Sequence, residues 1–148
     1  MAKTFEFRLE KLLEIRRAKE EGAQRELAAA HLAVEVRNGV ILEMMNREDD
    51  AKNDLRSLQQ GSAVDVERLR LAGDFLAALE RLLRREYELL QQLVRKEMDK
   101  QERLTQARKD VRVLELHRER ELRLHRLDLD RQERKFLDEV GGNLAKGA

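Results

Sequence analysis

Apolar residues recur every seven positions from Leu69 to Leu114, and this repeat limits the possible folds more than any other feature of the chain. Leu69, Leu76, Leu83 and Leu90 occupy one heptad position, Glu97 interrupts it, and Leu104 and Val111 resume it. The companion position carries Ala72, Leu79, Glu86, Leu93, Lys100, Ala107 and Leu114. Arg, Lys, Glu and Gln fill most of the positions between. A long helix with so narrow an apolar seam buries that seam against a partner helix.

Composition agrees with helices and excludes most alternatives. The chain has no Pro, Trp or Cys, and aromatics make up 3% of its 148 residues, fewer than a compact globular core normally uses. The 41% of hydrophobic residues recur at a regular period, which argues against disorder. Without Cys there is no thiolate metal site and no Cys nucleophile. No phosphate-binding Gly-rich motif occurs, and a thin hairpin offers no dry pocket to tune paired carboxylates. An enzyme is not expected, nor a cofactor. Lys3, Glu6, Arg8 and Glu10 break any secretory apolar run, and no stretch of about 18 apolar residues is present to span a membrane. A cytoplasmic location is the expectation.

A first helix is predicted from about residue 5 to about residue 58. Thr4 is its N-cap candidate, with Glu6 in the first turn. Phe5, Leu9 and Leu12 start an apolar stripe, and a clean run from Ala23 continues through Leu27, Ala30, Val34, Arg37, Ile41, Met44, Glu48, Ala51, Leu55 and Leu58. Keeping the early phase requires a stutter between Ala23 and Leu27. Phe5 and Phe7, two apart on a helix, cannot both face one seam. Asn38-Gly39 within alternating apolar residues is a hairpin signal, but Leu27, Val34 and Ile41 pass through it in register, so helix is expected.

Residues 59–62 form the turn, with Gly61 able to take a positive-φ C-cap. Ser62-Ala63-Val64-Asp65 resembles a capping box opening a second helix from about residue 63 to about residue 140. Leu122, Leu129 and Phe136 continue its seam in a shifted phase, Gly141-Gly142 ends it, and residues 143–148 form a tail. So short a connection makes the helices antiparallel neighbours. The expected fold is all-α, one long two-helix antiparallel coiled-coil hairpin over residues 1–148.

Charge is balanced at +1, but residues 95–135 hold fourteen basic and ten acidic side chains. Acidic residues interleave with Arg118, Arg120, Arg123, Arg126, Arg131 and Arg134, and no aromatic lies among them for base stacking. An acidic protein surface is therefore the expected target, and nucleic acid is not. His117, Glu121 and His125 share a helical face, but two ligands on an open face do not close a metal site, so no metal is expected. The alternative that the residues leave open is a generic coiled-coil scaffold or a nucleic-acid-associated dimer.

The opening Phe5-x-Phe7-Arg8-Leu9-Glu-x-Leu-Leu13-x-x-Arg16 resembles the start of the flagellar FliJ family of type III export components. Phe75-Leu-x-x-Leu79-x-x-Leu82-Leu83 is similar to the family's second helix near its start, and the Arg/Glu-rich stretch from Ala107 to Glu139 is also similar. The chain departs from the family in Ala72, Gly73 and Asp74 and in lacking a Trp near the turn. The resemblance implies a non-catalytic stalk, like the two-stranded part of the rotary-ATPase γ subunit. Its implied partners are the flagellar export ATPase hexamer, the cytoplasmic domain of the export gate protein and export chaperones, with peripheral association at the inner face of the cell membrane. It also implies that Phe5, Phe7, Arg8, Arg16, Arg123 and Arg126 meet the ATPase ring, and that Phe75 and Leu79 meet the gate.

Overall fold

A computed structural model describes residues 4–61, 63 and 65–147. Two helices make the fold: α1, Glu10–Gln60, of 51 residues, and α2, Val66–Lys146, of 81. They pack as an antiparallel all-α hairpin, with no strand among the described residues. Seven-residue periodicity is the cause: every heptad position noted above between Leu69 and Leu114 is buried or half-buried.

The start of α1 differs from the expectation. Thr4 is not its N-cap, because the helix begins only at Glu10, after a turn closed by Glu10 N–H to Phe7 O (3.1 Å), and Leu13 N–H to Leu9 O (2.9 Å) opens its i to i−4 ladder. The true seam then runs Leu13, Arg16, Glu20, Ala23, Leu27, Ala30 and on to Leu58 in unbroken 3–4 alternation, all positions withdrawn from solvent. The expected stutter is absent; it arose from counting Phe5, Leu9 and Leu12 as helical seam residues. Residues 4–7 lie outside the helix, so helical spacing does not govern which way their side chains face. Phe7 is buried and Phe5 half-buried, both turned inward, contrary to the helical argument that only one could be.

Asn38-Gly39 lies inside α1. Gly61 follows the last helical residue as a bend without positive φ. Ser62 and Val64 of the expected capping box lie outside the described residues. Asp65 caps α2, its Oδ1 accepting from the backbone N–H groups of Glu67 (3.1 Å) and Arg68 (3.4 Å). Gly141 and Gly142 do not end α2. Neither has positive φ, and a helical Gly costs only about 1 kcal/mol. The helix continues to Lys146, whose charge complements the C-terminal dipole, and Gly147 N–H donates to Asn143 O at 3.0 Å.

The chain divides into two compact units, each taking a stretch of both helices. In residues 1–23 with 104–148, Phe7, Leu13, Val111 and Leu114 form the core, with Phe5 and Leu9 packed on it. Leu13 is fully buried. Cross-helix ion pairs flank this core: Arg118 with Glu10 (3.0 Å), Arg17 with Glu115 (3.6 Å) and Arg108 with Glu20 (4.0 Å). In residues 24–103 the buried seam is Ala30, Val34, Ile41, Ala51, Leu79 and Leu83. Two of its polar seam residues, Arg37 and Lys100, find cross-helix partners, whereas Glu48 pairs within α1 with Lys52. Arg37 Nη1 donates to Glu86 at 2.7 Å, and Lys100 Nζ donates to Glu26 at 3.0 Å. Such pairs oppose slippage, because a shifted register strands each charge against apolar neighbours.

Candidate functional site

Two surfaces contain the side chains that the sequence singles out. The first is the terminal stretch, where residues 4–9 lie along α2. Phe7 packs edge-on to the ring of His117, centroids 5.8 Å apart. Phe5 lies 5.7 Å from the His125 ring, and the Arg118 guanidinium stands 5.8 Å from the Phe5 centroid, within cation–π range. Arg118 also donates from Nε to Glu10, so one arginine ties the aromatic strap to the first turn of α1. Arg16 Nη1 donates to the Asp110 carbonyl at 3.3 Å and is half-buried.

Phe5, Phe7 and Arg16 are therefore engaged within the chain, whereas Arg8, Arg123 and Arg126 are exposed. Sequence reading missed the role of Arg118. Its signal was available: Arg118 stands seven residues after Val111, at the seam position. Beyond it, Leu122 and Leu129 are half-buried, but Phe136, Leu137 and Leu144 are exposed. His117 Nε2 pairs with Glu121 at 3.2 Å, and the His125 ring lies tilted at 50° against that of Phe5. Among the described residues, no group of three or more His, Asp or Glu is placed to hold a metal ion.

The second surface lies near the turn. Phe75 is 57% exposed, but Leu79, four residues on, is buried in the seam with only 6% exposed. Leu79 faces α1, because the heptad position shared by Ala72 and Leu79 is one of the two that close the hairpin. What accompanies Phe75 at the surface is Leu71, 63% exposed. An open groove of about 560 Å³ runs here, with Leu58, Leu71 and Phe75 as apolar wall and Arg47, Asp54 and Arg68 among its charged lining. Leu71 escaped notice because it lies beside the seam and not on it. No described helix is long and apolar enough to cross a membrane.

Comparison with known proteins bears on the fold and the family. No curated protein sequence matches the chain. A solved structure described as that of a YscO homolog, CT670, from Chlamydia trachomatis shares the fold, with a TM-score of 0.77 over 97% of this chain and 96% of that one, at 19% identity. A family model described as "Flagellar FliJ protein" matches residues 5–147. With nearly the whole length matched, from the aromatic strap to the end of α2, the chain belongs to the FliJ family, components of the type III export apparatus.

Proposed function

We propose that the chain is a non-catalytic stalk that couples the flagellar export ATPase hexamer to the cytoplasmic domain of the export gate and assists export chaperones, acting at the inner face of the cell membrane. The observation that carries this reading is the family match over residues 5–147 on a hairpin whose α2 bears exposed arginines at 123 and 126. Guanidinium groups on a stiff helix suit an acidic ring opening, where they steer encounter and fix orientation. Phe75 and Leu71, beside the turn, supply the apolar anchor for the gate. Phe5 and Phe7 support the ring end from within, by holding the strap against α2.

The test mixes the purified chain with the export ATPase of the same organism. ATP turnover and hexamer formation are followed at low and moderate salt. Both rise with the wild-type chain, and the double charge reversal Arg123→Glu, Arg126→Glu reduces the rise. No change in either quantity with the wild-type chain would sink the stalk reading. The exposed Phe136, Leu137 and Leu144 favour a second reading, a self-dimerising scaffold. It predicts a tight dimer in sedimentation of the chain alone and no effect on the ATPase.

A further inference from the structure

We propose that His31 is a proton-dependent clamp between the helices of unit 24–103, its imidazolium bridging Glu35 on α1 and Glu97 on α2. Both ring nitrogens are occupied: Nδ1 lies 3.0 Å from Glu97 Oε1, and Nε2 lies 3.0 Å from Glu35 Oε1. A carboxylate only accepts hydrogen bonds, so both contacts require N–H on both nitrogens, and only the protonated ring has them. The neutral ring has one N–H for two carboxylates and turns a lone pair toward the other.

The placement makes this matter to the hairpin. Glu97 sits at a seam position that leucines and Val111 otherwise hold between Leu69 and Val111, and its side chain is 28% exposed. Lys100, also on the seam, is engaged with Glu26. His31 thus supplies the cation across from Glu97. The charged groups acting on it are Glu97 from α2 and Glu35 from its own helix, and both favour the proton. The hydrogen bond to Glu97, followed by the charge of Glu35, holds the imidazole above its ordinary value of 6.5. A pKa raised on folding contributes stability in full below the unfolded value and loses it as pH rises through the folded one. Pairing of this unit therefore weakens from near neutrality upward. The clamp stands whether or not the hairpin binds an ATPase.

The test is an NMR titration of the three histidine rings of the full chain, with the His31 signal assigned by its loss in His31→Gln. The His31 midpoint is expected above 6.5 and falls in Glu97→Gln. Thermal unfolding at fixed protein concentration, from about pH 6 to about pH 8.5, gives the second readout. Wild type loses Tm across this range more steeply than His31→Gln, which keeps His117 and His125. A midpoint at or below 6.5, a midpoint indifferent to Glu97→Gln, or parallel Tm profiles would overturn the clamp. Where Glu97→Gln does not fold, the same comparison is made with Glu35→Gln, and an unmoved midpoint there overturns it equally.

Discussion

Leu12 and Leu13 are neighbours of the same type with opposite fates. Leu13 is fully buried against Phe7, Val111 and Leu114, whereas Leu12 is 37% exposed. Truncating Leu13 leaves a cavity in a small core, so Leu13→Ala costs about 3 kcal/mol. Leu12→Ala costs about 0.5 kcal/mol, in the range of surface changes. Urea unfolding of the two variants checks the contrast, and equal losses would refute this phase of the seam. The sequence placed Leu12 on the stripe because Phe5, Leu9 and Leu12 have helical spacing. That spacing had no meaning before Glu10, where the chain is not yet helical. Periodicity reports a face only once the period of the backbone is known. The same cause hid Phe5 and Phe7 as joint inward residues.

At the scale of the element, α1 tolerates Gly39 and α2 tolerates Gly141 and Gly142. A Cβ built at Gly39 meets nothing within 4 Å, and its φ is not positive. Gly39→Ala therefore removes backbone entropy from the unfolded chain without strain and stabilises by about 0.5–1 kcal/mol. Tm should rise by about 2–4 °C per kcal/mol at this chain length, read by circular dichroism. A lower Tm would mean that the glycine serves a close approach that the hairpin itself does not contain. Helix ends were less legible than helix interiors. Asp65 provides a cap and Thr4 does not, because capping depends on which side-chain oxygen reaches the first free N–H groups, and residue type alone does not decide that.

For the whole molecule, the unequal helices have a measurable consequence. Every residue from 130 to 147 is exposed. Local opening is easiest where apolar contacts are few. Amides of residues 131–146 should therefore exchange hydrogen faster than those of residues 104–118, whose side chains include buried Leu104, Val111 and Leu114. Hydrogen exchange with site-resolved readout checks this. Equal protection in the isolated chain would mean that a second copy covers the C-terminal stretch. Binding to an ATPase should raise protection there if that stretch is the ring contact.

Much was decided by the sequence itself. Two helices, their antiparallel pairing and the seam from Leu69 to Leu114 followed from a seven-residue period and one break, because a narrow stripe can be buried in few ways. The strap and aromatic residues that carry the family resemblance were also readable as residues. Tertiary structure alone decided what each does. Leu79 is withdrawn into the seam and Leu71 is at the surface; Arg118, not the arginines around it, holds Phe5; and Glu97 meets His31. These depend on which residue of one helix stands opposite which residue of the other. That register is a property of two segments packed together, and no single stretch of sequence contains it.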